Sequence, residues 1–437
     1  MTHPADDGSN IEIVPPTRRR MGALRHRNFQ LFWVGQLVSL VGTWMQTVAQ
    51  SWLVLQLTND PFWLGVVAAA QFAPVLAFGL FGGLVADHLP KRRTLMVTQA
   101  SAMTLAFVLA ALTAIHVVQL WHILGLAILL GFTNAVDMPT RQAFVIEMVG
   151  REDVANAVGL NSAIFNAARI LGPAVAGLLI GLFDISIAFA INGLSFLAVL
   201  AGLMAMRETD LHPAPVTVLA RSIEGVVDNL AEGLRYVRRT RVVLLAVVVV
   251  GLVSTAAMNF NVLVPAMARD VLGVGATGYG FLMAASGLGS LAAALGIAFF
   301  GRPGPRLLIG GALLLGLAEV AFSQTRVYPV GLVFMFVAGF GAIAMAATAN
   351  TLIQLAVPDV LRGRVLSVYT TVFAGSTPIG GLAVGAIASA AGPATAFLLG
   401  GLVAIVVAAA GVPVVRSLGN VARRPDSGLR GAVTTRP

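Results

Sequence analysis

One stretch decides the fold of this chain: Gly82-Gly83-Leu84-Val85-Ala86-Asp87-His88-Leu89-Pro90-Lys91-Arg92-Arg93-Thr94-Leu95. It places one carboxylate and three consecutive bases between two long apolar runs. The paired glycines allow a neighbouring helix to approach closely, and the proline with the three bases stops the chain from continuing into a bilayer. A carboxylate at such a boundary is costly unless it is paired. The stretch therefore predicts a charged turn between two membrane-spanning helices.

The composition indicates a membrane protein over nearly the whole length. Of the 437 residues, 57% are hydrophobic and 11% are charged, whereas a soluble domain has roughly 25% charged residues. Crossing ~30 Å of hydrocarbon takes about 20 residues of helix, and the apolar runs are continuous rather than alternating, which excludes a β-barrel. We predict an all-α integral membrane protein with twelve transmembrane helices, at 29–57, 62–86, 94–115, 120–143, 154–181, 185–206, 242–265, 278–300, 306–324, 328–352, 364–388 and 395–415.

The basic residues are distributed unevenly about the predicted spans. The net charge is +9, and 25 of the 28 lysines and arginines fall in the tails and the even-numbered turns. Basic residues concentrate on the cytoplasmic side of membrane proteins. We therefore expect a multi-pass protein of a bacterial cytoplasmic membrane with both termini inside, and we do not expect nucleic acid as a partner.

The predicted spans form two sets of six around a polar interruption. The expected parts are a disordered tail at 1–28, a six-helix bundle at 29–206, a cytoplasmic linker at 207–241, a second bundle at 242–415 and a disordered tail at 416–437. Apolar residues recur in the linker at steps of three and four, which predicts an amphipathic helix at the membrane surface. Pro173 and Pro378 each fall in the fifth span of their set, as expected for a duplicated unit with a substrate site between its halves.

Motifs for covalent chemistry are missing from the sequence. The chain has no cysteine, so it can form neither disulfides nor thiolate metal sites. It has no glycine-rich phosphate loop ending in Gly-Lys-Ser/Thr, no metal-ligand spacing and no Ser-His-Asp arrangement. We expect no enzyme activity, no metal and no cofactor.

Four strings carry a resemblance to a known family: DMPTRQAF at 137–144, NSAIFNAARILGP at 161–173, EGLRYVR at 232–238 and RGRV at 362–365. Together with the 82–95 stretch they resemble the major facilitator superfamily, and within it the branch of drug:proton antiporters that includes the enterobactin exporter and macrolide exporters. The resemblance implies two pseudo-symmetric six-helix bundles, alternating access and export rather than uptake.

The resemblance also implies a conformational gate in the opening stretch, formed by Gly83, Asp87, His88, Lys91 and Arg92. His88 stands where the superfamily usually has arginine, and Pro90 where it usually has glycine. A simple aspartate–arginine clamp between neighbouring positions is therefore not expected, and Lys91, Arg92 and a protonated His88 are the candidate partners of Asp87. A topological anchor without gating is the alternative.

Charged residues inside the spans are further candidates. Asp137 and Arg141, one turn apart near the cytoplasmic end of the fourth span, are predicted to pair, as a coupled proton site or as a static ion pair. Arg169 falls well inside the fifth span and must face a cavity or a partner. We expect it to contact substrate or to take part in coupling, with a buried structural bond as the alternative. Glu319 is predicted to form a snorkelling pair with Arg326 rather than a proton site.

Other candidates are polar or small. Gly172, Pro173 and Gly177 resemble the antiporter motif of the family. Their small size and the proline predict close helix packing and a bend at this point of the fifth span. The first and seventh spans carry polar stripes that by resemblance line a central cavity, with Gln46, Gln50 and Asn261 as substrate contacts or, alternatively, interhelical hydrogen bonds. A second cytoplasmic loop is expected at Arg362, Gly363 and Arg364.

The predicted function is that of a secondary active transporter, a proton-coupled exporter of a small amphipathic organic molecule of the drug or siderophore class. The few fixed charges of the expected cavity favour a neutral or amphipathic substrate. A lysophospholipid flippase and a non-transporting membrane assembly or secretion factor are the alternatives. We expect a functional monomer whose partners are its small-molecule substrate and the lipid bilayer.

Overall fold

The structure is a computed structural model that describes residues 22–212, 223–301 and 303–422, without the side chains of residues 80–87, 223–227, 300 and 419–422. The regular elements in these ranges are helical. They are α1 (Arg27–Thr58), α2 (Phe62–His88), α3 (Lys91–Ala114), α4 (Leu120–Leu182), α5 (Ile185–Met204), α6 (Ile223–Arg239), α7 (Arg241–Ala257), α8 (Phe260–Ala266), α9 (Ala276–Phe300), α10 (Pro305–Gln324), α11 (Tyr328–Ala356), α12 (Asp359–Ala391) and α13 (Pro393–Ala422). Most of both predicted tails lies outside the described residues, although α13 continues to Ala422.

These helices make twelve membrane crossings, as predicted. Ten helical segments are long and apolar enough to cross a membrane, namely α2 to α5, α7 with its continuation to Val271, and α9 to α13. The 63-residue α4 supplies two crossings, because Gly150, at φ 68° and ψ 173°, divides it into two arms. The more polar α1, with 32 residues, supplies another. The seventh crossing is composite, since α7, α8 and a π-helical turn at Met267–Val271 follow one another.

Within each half, helices pack closely where one of them has a glycine. A Cβ on Gly35 of α1 would lie 2.8 Å from the carbonyl oxygen of Ala198 in α5. In the second half, a Cβ on Gly316 of α10 would lie 2.6 Å from the carbonyl oxygen of Gly401 in α13. Helices in lipid associate largely through such close backbone approach. The first half thus comprises α1–α5 and the second half α7–α13.

The predicted amphipathic helix of the linker is present as α6, and it packs on the second half. The Tyr236 hydroxyl donates a hydrogen bond to the carbonyl oxygen of Ala356, at 3.1 Å, and Val237 is fully buried. Leu230 and Leu234 belong to the predicted apolar face but are each 39% exposed. One side of α6 is therefore buried in protein, and the neighbouring apolar strip remains available to a membrane surface.

The halves bond to each other at the end of the molecule away from α6, which we call the far end; the opposite end is the linker end. Thr277 Oγ1, at the start of α9, donates to the carbonyl oxygen of Gly177 at 2.8 Å. Arg269 Nη1 donates to the carbonyl oxygen of Leu55 and to Asn59 Oδ1, each at 3.0 Å. In the part of the chain that the structure describes, the hydrogen bonds between the halves lie at this end.

Candidate functional site

The bases of the predicted gate bind within the first half. Lys91 Nζ lies 2.7 Å from Glu147 Oε1, and both side chains are mostly buried. Arg92 binds the end of α5, where Nε donates to the carbonyl oxygen of Leu203 at 2.7 Å and Nη1 to Glu208 Oε1 at 2.6 Å. A guanidinium is well placed there because the last carbonyls of a helix lack helical donors. These contacts fasten the start of α3 to α4 and α5.

The other gate residues are placed less fully. His88 is exposed at the end of α2. Gly83 and Asp87 lie in the stretch 80–87, whose side chains the structure does not describe, so their part in a gate stays a prediction. The expected partnership of Asp87 with Lys91 and Arg92 has to compete with the bonds that those two bases make inside the first half.

Asp137 and Arg141 form the predicted pair, and the pair joins three helices. Asp137 is 3% exposed. Its Oδ1 accepts hydrogen bonds from Thr98 Oγ1 and Gln99 Nε2 of α3, both at 2.7 Å. Arg141 binds Oδ2 through Nε, at 3.0 Å, and through Nη2, while its Nη1 binds Gln36 Oε1 of α1. The carboxylate therefore receives four donors, and α1, α3 and the first arm of α4 share one polar junction.

A small cavity lies where the two halves meet. Its volume is about 80 Å³. The residues that line it are Trp44 and Arg169 of the first half and Met258, Phe260, Asn261, Met283 and Ser286 of the second. Arg169 Cζ lies 5.9 Å from the centroid of the Trp44 ring, within the range of a cation–π contact. The structure thus brings together Arg169 and Asn261, which the sequence predicted separately.

A break between α7 and α8 places Asn261 at this cavity. The Asn259 side chain donates to the carbonyl oxygen of Thr255 at 2.8 Å, and so occupies an acceptor at the end of α7. Pro265 inside α8 has no N–H to return to the carbonyl of Asn261. Both features interrupt the helical hydrogen-bond ladder, so Met258, Phe260 and Asn261 can line the cavity from an irregular crossing.

The antiporter-motif residues are packing positions. A Cβ on Gly172 would lie 2.8 Å from the carbonyl oxygen of Val41 in α1, and a Cβ on Gly177 would lie 3.0 Å from that of Thr277 in α9. Pro173 has no N–H for the carbonyl of Arg169. A Cβ on Gly287 of α9 would lie 3.0 Å from that carbonyl oxygen. Gly172 thus packs within the first half, and the residues around it face the second half.

The two predicted glutamines of α1 are not among the residues that line the 80 Å³ cavity. Gln46 Oε1 accepts a hydrogen bond from Asn192 Nδ2 of α5, at 2.5 Å. Asn192 is 2% exposed, so this is an interhelical bond within the first half, the alternative that the sequence left open for Gln46. Gln50 is half-buried.

The predicted second cytoplasmic loop is helical, which corrects the sequence analysis. Arg362, Gly363 and Arg364 lie in the first turns of α12. Arg362 pairs with Asp359 one turn earlier, and Arg364 pairs with Glu232 of α6. Because these charges are paired along and between helices, they do not interrupt α12, and Arg364 helps to fasten α6 to the second half.

The prediction for Glu319 is wrong. Glu319 is 1% exposed, and neither of its carboxyl oxygens has a hydrogen-bond partner among the described residues. Its Oε2 lies beside Gly400 of α13, where a Cβ would be 3.2 Å away. Arg326 is exposed beyond the end of α10. The side chain of Glu319 points into the second half instead of towards the loop that carries Arg326.

Several residues of these groups were not singled out from the sequence: Gln36, Thr98, Gln99, Glu147 and Ser286. Gln36, Thr98 and Gln99 interrupt otherwise apolar spans, and that polarity was the available signal. Ser286 gives little signal because a serine in an apolar helix commonly binds a carbonyl of its own helix. The partners of Asp137 and Lys91 come from other spans, which local spacing does not reveal.

Two packed six-span halves with a charged cavity between them define a polytopic membrane transporter. The family whose sequence model is described as transmembrane secretion effector matches residues 19–423. The chain belongs to this family of the major facilitator superfamily, whose members are transporters and not enzymes.

Named relatives agree with this assignment. The chain is 30% identical over 379 residues to the multidrug efflux pump Tap of Mycolicibacterium fortuitum, covering 83% of this chain and 89% of Tap. It is 23% identical over 359 residues to the enterobactin exporter EntS of Shigella flexneri, covering 79% of this chain and 81% of EntS. The resemblance to the enterobactin-exporter branch is thereby confirmed.

The fold is also that of solved transporters. A bacterial homologue of the human lysosomal transporter Spinster, in an inward-facing and unoccupied conformation, superposes with a TM-score of 0.69. The match covers 91% of this chain and 96% of that one, at 13% sequence identity. At such low identity the likeness bears on the fold alone, and it confirms the predicted major facilitator fold.

Proposed function

We propose that this protein exports small amphipathic organic molecules across a bacterial cytoplasmic membrane, as a proton-driven secondary transporter that works by alternating access. The observation that carries the proposal is the cavity between the halves, where Arg169 and Trp44 face Asn261 and Ser286. Rocking of two halves about a site between them exposes that site to one side at a time. Both halves of the cavity come from one chain, so a monomer is sufficient.

The relatives support export as the direction. Tap is named a multidrug efflux pump and EntS an enterobactin exporter. In the sequence, 25 of 28 lysines and arginines fall in the tails and the even-numbered turns, and the positive-inside rule assigns these to the cytoplasm. The far end then faces outward. Because the halves bond at the far end, this state suits entry of substrate from the cytoplasm.

A proton gradient is the proposed energy source, and Asp137 is the candidate carrier. Adding a proton to Asp137 would remove the charge that Arg141 faces and loosen the junction of α1, α3 and α4. The junction lies in the same long helix as Arg169. Repacking of the first half is therefore a physical route from proton binding to the cavity.

Transport by purified protein in proteoliposomes tests the proposal. A panel of labelled cationic, neutral and anionic amphipathic compounds is offered with and without an imposed pH gradient. We expect uptake of at least one compound that a protonophore abolishes, and a loss of roughly tenfold or more in Asp137→Asn, since one charge-assisted contact is worth about 1.5–3 kcal/mol. Arg326→Gln, an exposed charge at the far end, is the matched control.

The same assay separates the alternatives. Gradient-driven movement of a fluorescent lysophospholipid, with no movement of the other compounds, would replace the export proposal by a lysophospholipid flippase. Failure of every compound and of the lysophospholipid to move, with folded protein in the vesicles, would favour a non-transporting assembly or secretion factor.

A further inference from the structure

Among the described residues, the guanidinium of Arg169 has no anionic partner in the cavity between the halves. In the part of the chain that the structure describes, the guanidinium makes a cation–π contact with Trp44, whose ring centroid lies 5.9 Å from Arg169 Cζ. Arginine has five N–H donors and stays charged. A charge at membrane depth is costly unless a partner or water compensates it. The described residues therefore do not compensate this charge.

A second group at the same cavity also lacks a partner. Ser286 is 2% exposed, and its hydroxyl has no hydrogen-bond partner in the described ranges of the chain. A serine in a helix usually bonds to a carbonyl of the preceding turn, as Ser290 does with Ser286. The Ser286 hydroxyl is instead free at the wall of the cavity that Arg169 lines. Two unused polar groups, one from each half, thus border one space.

In the described part of the chain, the helices that line the cavity offer no counter-ion for this arginine. The sequences of α1, α7, α8 and α9 contain no aspartate or glutamate. In the second arm of α4 the acidic residue nearest in sequence to Arg169 is Asp153, which binds His26 at the linker end and lies ~24 Å away along the helix. Asp137 is already paired with Arg141. Among the described residues, no carboxylate is therefore placed to pair with Arg169.

The other residues that line the cavity indicate which further groups a ligand there would have. Met258, Phe260 and Met283 are apolar, and the ring of Trp44 adds an aromatic face. A volume of about 80 Å³ holds a small head group, whereas sites for drug-sized molecules occupy roughly 300–1,000 Å³. The cavity thus suits one polar group of a larger molecule rather than the whole of it.

We infer that this cavity is a subsite for the carboxylate of an amphipathic aromatic substrate. Arg169 binds the carboxylate through its planar fork, the Ser286 hydroxyl donates a further hydrogen bond, and an adjoining ring of the substrate packs near Trp44. Because Arg169 and Ser286 belong to different halves, a bound carboxylate links the halves directly. The inference rests on the proposed function, and it narrows the substrate from amphipathic molecules in general to acidic ones.

A matched pair of ligands tests the inference. Labelled naphthoate and naphthamide have the same ring and nearly the same shape but differ in charge. Their binding is measured on purified full-length protein by scintillation proximity. We expect naphthoate to bind roughly tenfold or more tightly than naphthamide, since hydrogen bonds to charged groups are worth about 1.5–3 kcal/mol. Equal binding of the two ligands, or no binding of naphthoate, would overturn the inference.

Variants assign the effect to the two residues. Arg169→Gln should remove the preference for naphthoate by weakening naphthoate binding much more than naphthamide binding. Arg169→Lys should retain part of the preference because lysine keeps the charge but loses the fork. Ser286→Ala should weaken naphthoate severalfold and naphthamide less. Arg326→Gln is the control that removes an arginine elsewhere. A preference for naphthoate that survives in Arg169→Gln would place the anion site elsewhere and overturn the inference.

The outcome is separable from that of the proposed function. Selective binding of naphthoate without gradient-driven movement of any compound would leave the anion subsite standing and remove the transport proposal. Gradient-driven transport without discrimination between acid and amide would support the transport proposal and overturn the anion subsite.

Discussion

Replacing Asp137 with alanine should destabilise the first half by about 3–5 kcal/mol, the cost of breaking a buried charge pair by removing one partner. Asp137 is 3% exposed and accepts hydrogen bonds from Thr98, Gln99 and twice from Arg141. Its loss leaves a guanidinium and two uncharged donors without their acceptor between α1, α3 and α4. The arginine retains Gln36, which keeps the expected cost within that range rather than above it.

The measurement is a double-mutant cycle. Unfolding of Asp137→Ala, Arg141→Ala and the double variant is followed in one detergent at neutral pH, with reversible chemical denaturation as the readout. The second mutation should cost less in the presence of the first, with a coupling energy of about 2 kcal/mol or more, as expected for groups in one buried network. Additive losses, or a denaturation curve of Asp137→Ala equal to that of the parent, would refute the junction of α1, α3 and α4.

Three further perturbations have defined outcomes. Gly280→Leu should open the far end, because even a Cβ at this position would lie 2.8 Å from Gly177 Cα. A cysteine introduced at the far end of α9 should then react faster with an impermeant maleimide. An unchanged reaction rate would contradict the packing of α4 against α9. Glu319→Gln should leave stability unchanged or raise it. Both carboxyl oxygens are buried without partners among the described residues, and an amide costs less to bury than a carboxylate. A loss of stability as large as that of Asp137→Ala would show that the Glu319 carboxylate has a partner and would contradict this reasoning. Asp184 caps α5 by accepting a hydrogen bond from the backbone N–H of Ser186. Hydrogen bonding by the Ser186 side chain, and then by its backbone, lowers the pKa of the Asp184 carboxyl. Asp184→Ala should cost about 1 kcal/mol at neutral pH, and the difference should shrink as the pH falls below about 4. A difference that grows in acid would refute the cap.

Much of the fold could be predicted because the bilayer imposes a simple rule of length. Apolar runs of about 20 residues between charged turns mark each crossing, and twelve were found where twelve occur. The errors lie at the ends. The predicted spans 120–143 and 154–181 leave a turn at 144–153, but only Gly150 leaves the helical conformation, and α4 continues on both sides of it. Likewise, α12 begins before its arginines because these charges find partners along and beside the helix.

The site was less predictable because it depends on which spans face each other. The spacing of Asp137 and Arg141 gave their pairing, since both lie on one helix. The partner of Gln46 is on α5 and the partner of Lys91 is on α4, and nothing in the local sequence specifies either. Glu319 was assigned to a loop arginine by its closeness in sequence, whereas the orientation of α10 directs its side chain towards α13.

Arg169 presents different parts of itself to different neighbours. Its backbone carbonyl, which Pro173 leaves without a helical donor, lies against the glycine face of α9, while its guanidinium stands beside Trp44. Exchange of the side chain therefore leaves the main-chain surface between the halves in place. At this position, the side chain at the cavity and the main-chain fit of the two halves can therefore be altered independently.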